Sequence, residues 1–293
     1  MKVGMCLPYM EREFPRTDIL AWCRGIDEGG FSTIACGERV TGYTYDMRVL
    51  LAAAAAVTER VRIMPTLYVL PMHATARVAK EMATLDVLSE GRAAMTVGVG
   101  GREADYRAIG MPFTGRHARM DEQVAELRRL WAGEPPFEGA DELGPRPLQP
   151  GGPEILAGSM GPKAVRRAAA WADGLYSWSG NGEAAEIEPQ LQAARVAWQE
   201  AGRKTAPRRV VGFWFSLAPD GAQRLQRYVF EYLKIFGESA ANAVAKSMTR
   251  SSPDAVREAL DTMQELGAEE CLLVPATQNM AEVDGAAEIL ARR

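Results

Sequence analysis

The residues best suited to chemistry begin where an apolar run ends. In "AAMTVGVGGRE", Gly98, Gly100 and Gly101 fall within four residues, and Glu103 follows. Backbone without Cβ lets a flat ring lie close, and an acid beside such a ring could act as general acid or base. A dinucleotide fingerprint needs G-x-G-x-x-G in a first βα turn. Gly98 and Gly100 fit it, but the third position is Glu103 and the stretch reads as the fourth strand. A tight turn with a solvated Glu103 is the plainer alternative.

Other stretches add candidates. "VRIMPTLYVL" is strongly β, yet Pro65 removes a ladder donor. A bulge at Pro65–Thr66–Leu67 resolves that conflict, and bulges gather near active sites. In "ILAGSMGPKAVRR" a strand ends at Gly158, and Ser159, Met160 and Gly161 precede Pro162 at a helix start. Free N–H groups there suit an anion, and Lys163 and Arg166 could add charge; an ordinary N-cap explains the same residues. In "CGERV", Arg39 stays charged at ordinary pH. It could hold an anion or stabilise developing negative charge, or simply pair with Glu38 at the surface.

These residues need elements to hold them. Strands read at Val3–Pro8, Phe31–Cys36, Val61–Leu70, Ala93–Val99, Glu154–Ala157, Gly174–Trp178, Arg209–Leu217 and Cys271–Pro275. Helices read between them at Asp18–Glu28, Asp46–Thr58, Thr75–Leu88, Arg119–Trp131, Lys163–Ala172 and Ala184–Ala201. "SSPDAVREALDTMQELG" is a capped helix and Glu282–Arg293 a last one. Pro135–Pro153 reads as loop, and Asp220 to about Lys246 is helical beyond what a crossover needs. The expectation is an α/β fold, a (β/α)8 TIM barrel with an insertion after strand 7, residues 1–293 forming one domain.

With 293 residues, a net charge of −4 and a pI near 5.5, the chain offers no basic field for nucleic acid or an anionic membrane. The longest apolar run, Val49–Val57, is too short to span a bilayer, and no signal peptide is read. Four scattered cysteines fit reduced thiols in a cytoplasm, and two unclustered histidines, His73 and His117, argue against a metal site. Trp178, Trp214, Phe213 and Phe215 point to an apolar cleft or to barrel core.

"VRIMPTLYVLPMHATARVAKEMATLDVLSEGRAAMTVGVGG", "MDEQVAELRRLWAG", "PEILAGSMGPKAVRRAAAWADG" and "SSPDAVREALDTMQELG" together resemble the bacterial luciferase-like family of flavin- and deazaflavin-dependent enzymes. The resemblance covers most of the chain and is most specific from "ATLDVLSEGR" to "GVGG". It implies a barrel with an isoalloxazine-type ring in a cleft at the C-terminal mouth, backed by a bulge in strand three that often carries a non-prolyl cis peptide. By that likeness Pro65, Thr66 and Leu67 back the ring and Gly98, Gly100 and Gly101 flank it with the ribityl chain. Gly158, Ser159, Met160 and Gly161 would hold the phosphate, and Glu103 matches an acid near the reacting centre. Where many relatives carry a histidine after strand two, this chain has Glu38 and Arg39, so that base is missing. The implied activity is hydride transfer with coenzyme F420 to or from a small organic substrate, with Glu103 and Arg39 as catalytic candidates. The alternatives are an FMN-dependent monooxygenase fed by a separate reductase, and a flavin-binding relative without catalysis. A homodimer is the assembly expected by the same likeness.

Overall fold

Apolar runs alternate with amphipathic ones along the chain, and in the computed structural model, which describes residues 1–293, they close into a ring of eight parallel strands. The strands are β1 (Lys2–Cys6), β2 (Thr33–Cys36), β3 (Arg62–Val69), β4 (Ala94–Gly98), β5 (Glu154–Gly158), β6 (Gly174–Trp178), β7 (Arg208–Phe215) and β8 (Glu270–Pro275). They pair in sequence order and β8 returns to β1, as expected for a (β/α)8 barrel. Around them run α1 (Arg16–Glu28), α2 (Met47–Val57), α3 (Thr75–Leu88), α4 (Glu103–Ala108), α5 (Arg116–Trp131), α6 (Pro162–Ala168) and α7 (Ala184–Glu200). The insertion after β7 holds α8 (Gly221–Leu233) and α9 (Glu238–Lys246); α10 (Pro253–Glu265) and α11 (Ala281–Ala291) complete the wall.

Burial on both faces explains why the strands read as nearly unbroken apolar runs. Every residue of β4 is buried. Inside the ring, Cys6, Ala35, Met64, Leu156, Val210 and Leu272 fill the barrel, while a larger core lies between strands and helices. Each large side chain so buried contributes about 1.5–3 kcal/mol.

The block most specific in sequence is largely architectural. Asp86 of α3 is fully buried and accepts from Leu148 N (2.8 Å), Gln149 N (3.0 Å) and Gln149 Nε2 (2.6 Å), fixing the long loop before β5. Arg92 donates to the carbonyls of Ala55, Thr58 and Val61, satisfying the end of α2 just before β4 begins.

The bottom of the barrel is closed by charge. Arg62 pairs with Glu154 at 2.8 Å, and Arg208 bridges Glu154 and Glu270. Glu270 also accepts from the hydroxyls of Ser32 and Thr33.

Two elements differ from expectation. The helical stretch Asp220–Lys246 breaks into α8 and α9 through a 3₁₀ turn at Lys234–Phe236 and Gly237, whose φ of 124° suits a residue without Cβ. A six-residue helix, α4, follows the glycines where sequence reading had only loop. It is too short for hydrophobic periodicity to announce it. No helix is long and apolar enough to cross a membrane.

Candidate functional site

β3 pairs regularly with β2 up to Pro65, opposite Cys36, the last residue of β2. The missing N–H of Pro65 therefore falls where that ladder ends. Against β4 the register then slips between Thr66 and Tyr68, and the Thr66–Leu67 peptide is cis. Thr66 and Leu67 turn into a cavity of about 360 Å³ at the C-terminal mouth. Pro65 does not: it lines a separate depression on the outer wall between α2 and α3. Alternation along the strand sends it outward.

The glycines act differently from one another. A Cβ on Gly98 would come 2.6 Å from Leu67 Cδ1, and one on Gly158 would overlap Leu67 Cδ2. Both glycines make room for the bulge residue, so Gly98 serves the site through Leu67 and does not itself line the cavity. Gly100, Gly101 and Gly158 do line it. Gly100 has φ of 60°, and a Cβ there would meet Val69 at 2.8 Å. Met160 lines the rim, Ser159 is buried beside it, and Gly161 is the exposed N-cap of α6.

The catalytic candidates are not brought together. Glu103 opens α4 as an exposed side chain outside the cavity lining. The acid of that turn that faces the cavity is Asp105, 4% exposed, whose Oδ1 accepts from Thr41 N at 2.7 Å and from the Thr41 hydroxyl. Two residues on a helix lie about 200° apart, so only one of the pair can look inward. Arg39 stands outside the lining as well, partly buried, with Nε lacking a partner.

Glu38, in contrast, reaches the cavity. Its Oε2 accepts from Val69 N at 2.7 Å, and its Oε1 lies 2.7 Å from His73 Nε2. The two side chains are 7% and 12% exposed. Their partners come from the end of β2 and the turn after β3. His73 is braced edge-on by Tyr68, with ring centroids 5.1 Å apart, and its carbonyl accepts from Gln123. The chain thus lacks a histidine after strand two but backs the acid there with one from elsewhere. A carboxylate anchored beside the bulge, with an imidazole bonded behind it, is placed to accept a proton from a ligand in the cavity.

Aromatic rings form the rest of the cavity. Trp178 of β6 and Trp214 of β7 meet edge-on at 4.8 Å, and Trp214 meets Tyr232 of α8 at 5.4 Å. Phe213 and Phe215 are core and do not line it. Tyr228 and Tyr232 roof it from the insertion, which packs its own small cluster around Trp214, Leu225, Val229 and Met248. Arg102, next to the glycines, donates to the Tyr232 carbonyl at 2.7 Å and lies over its ring, tying roof to wall. Burial pushes the Tyr232 hydroxyl up, and the positive charges of Arg102 and Arg39 only partly offset it. Desolvation likewise pushes the Cys6 thiol at the cavity floor up to about 12, so it stays protonated. No group of three or more His, Cys, Asp or Glu side chains is arranged to hold a metal ion.

The family model for luciferase-like monooxygenases matches residues 1–282. The chain belongs to this family. An uncharacterized protein from Mycobacterium tuberculosis is 34% identical over 186 residues, covering 61% of this chain and 62% of the relative. Another from the same species is 30% identical over 188 residues, 62% of this chain and 65% of its own length, so this chain matches less than two thirds of those relatives. An F420-dependent glucose-6-phosphate dehydrogenase from Beutenbergia cavernae is 29% identical over 235 residues, 73% of this chain and 68% of that enzyme. Among solved structures, an F420-dependent secondary alcohol dehydrogenase superposes with a TM-score of 0.82 at 18% identity, covering 98% of this chain and 97% of that one. Monooxygenase RslO1 from Streptomyces bottropensis gives 0.79 at 23% identity, covering 100% and 98%. A type II Baeyer-Villiger monooxygenase from Pseudomonas putida in complex with FMN gives 0.73 at 18% identity, covering 99% and 95%; at such identities these structures share the fold.

Proposed function

We propose that this luciferase-like protein is an F420-dependent oxidoreductase that passes hydride to or from a small organic substrate. The observation that carries the reading is the cavity at the strand ends, where the β3 bulge faces backbone bare at Gly100, Gly101 and Gly158. The residues fit a planar tricycle: Thr66 and Leu67 would back it and Gly100 and Gly101 would flank it. Gly158, Ser159, Met160 and Gly161 would receive the phosphate. The curated F420-dependent relative, matched along most of its length, supports F420 over FMN.

When bound, the deazaflavin supplies two-electron chemistry as hydride acceptor or donor. This chain's residues orient the substrate and exclude water. With an alcohol as substrate, Glu38, which His73 steadies, would take the hydroxyl proton while the bound deazaflavin would supply the acceptor for the hydride. Glu38 takes the role that Glu103 held on sequence grounds, because Glu38 lines the cavity and Glu103 does not. Arg39 stays the group proposed to favour negative charge near Tyr232.

A second reading, an FMN-dependent monooxygenase supplied by a partner reductase, is favoured by the description of the family model and by the monooxygenase RslO1. A homodimer is part of the proposal, by likeness to the family. A reducing cytoplasm is supported by four free, buried cysteines. Titrating purified protein with F420 and with FMN, read by fluorescence, tests the cofactor. Micromolar F420 binding without FMN binding is the expected outcome; FMN binding alone would move the protein to the oxygenase reading.

A further inference from the structure

We infer that the substrate is a neutral, largely apolar molecule with a ring or branched carbon frame and one hydroxyl or carbonyl oxygen, and not a phosphorylated or carboxylated metabolite. The inference rests on the cofactor reading in one respect: a ring held at Gly100, Gly101 and Gly158 leaves the rest of the cavity to the substrate. That remainder is lined largely by Trp178, Trp214, Tyr228, Tyr232 and Val274.

Charge decides against an anion. Arg102 is the one cationic side chain lining the cavity, and it is already committed to the Tyr232 carbonyl and ring. The other charged lining groups are carboxylates, Glu38 and Asp105. A phosphate brought into this space would lose its hydration, meet no uncommitted cation in the lining and face two like charges.

What the cavity does offer is neutral donors. Tyr9 and Tyr176 line it, are 8% and 7% exposed, and their hydroxyls bond to no other group of the chain. By contrast, the hydroxyls of Tyr68 and Tyr106 are taken by Glu81 and the Val99 carbonyl. Burial pushes the Tyr9 and Tyr176 hydroxyls well above their ordinary range, so each keeps its proton. An uncharged phenol left without a partner in an aromatic wall suits an alcohol or ketone oxygen and discriminates against a molecule lacking that oxygen.

The test is a binding titration that needs no turnover. Tryptophan emission is followed, with Trp178 and Trp214 in the cavity wall, as 1-phenylethanol, acetophenone, mandelate and glucose 6-phosphate are added with and without F420. The neutral pair is expected to bind at least about tenfold more tightly than either anion. Trp178→Ala should weaken acetophenone about tenfold, Trp178→Phe should restore most of it, and both variants should keep F420 binding as proof of a folded site. Glucose 6-phosphate or mandelate binding as tightly as acetophenone overturns the inference, as does failure of both neutral probes to bind. Loss of F420 binding with FMN bound instead would sink the cofactor reading, leaving the substrate class to be judged on the same titration repeated with FMN.

Discussion

The two ends of this barrel solve opposite problems. At the bottom, Arg62, Arg208, Glu154 and Glu270 are matched charge for charge, and Glu270 takes two hydroxyl donors besides. At the mouth, the Tyr9 and Tyr176 hydroxyls lack partners, backbone is bare, and a cavity of about 360 Å³ remains. One end is finished packing; the other is packing left for a ligand to finish. That division is the one expected when stability sits at the N-terminal face of a barrel and chemistry at the C-terminal face.

The widest separation should come from Arg208→Met. It strands Glu270, whose side chain is 1% exposed, and should cost about 3–5 kcal/mol in urea unfolding. Cofactor affinity of the folded variant should stay unchanged; a parallel loss of affinity would mean the two ends are coupled. Next in size, Glu38→Gln should lower turnover about a hundredfold with little change in cofactor Kd. Glu103→Gln, on an exposed side chain, should leave turnover within about twofold. The reverse pattern in steady-state kinetics would return the acid role to Glu103. Gly158→Val would drive a side chain into Leu67. Overpacking of about 1–3 kcal/mol should appear at the mouth as roughly ten- to hundredfold weaker cofactor binding, with the melting temperature less affected.

The smallest effect concerns Glu282, a fully buried carboxyl without a cation, held by Ser216, Thr277 and the Leu217 N–H behind the mouth. Burial pushes it up from the ordinary 4.5, and the three donors pull back only in part. A raised folded pKa means that the native state holds this proton more tightly. Its stabilising contribution is therefore full below pH 4.5 and is lost as pH rises through the folded value. Glu282→Gln, which does not titrate, should show a larger stability deficit near pH 4.5 than near pH 7.5 in urea melts. A deficit independent of pH would remove the titration from the account.

The barrel was legible because alternation of apolar runs and helical periods survives any local irregularity. The bulge was legible because Pro65 could not belong to an uninterrupted central strand. Side-chain direction was not: Pro65 faces outward, and Gly98 accommodates Leu67 where a ring had been expected. The choice of Asp105 over Glu103 depends on the phase of α4, a helix that shows no period of its own. Glu38 was visible but assigned to Arg39, since its contact with His73 joins residues 35 apart in sequence. Tyr228 and Tyr232 carried a usable signal, four residues apart on one helical face, that went unread.

The insertion brings one more consequence. α8 and α9 pack together with Trp214, Trp178 and Val274 of the strand ends, so the insertion forms the ceiling over the barrel. Lengthening or exchanging it would redraw the ceiling of the chamber while the strand ladder beneath kept its register. Diversification of substrates in such a protein can proceed from above, one loop at a time, without retesting the fold.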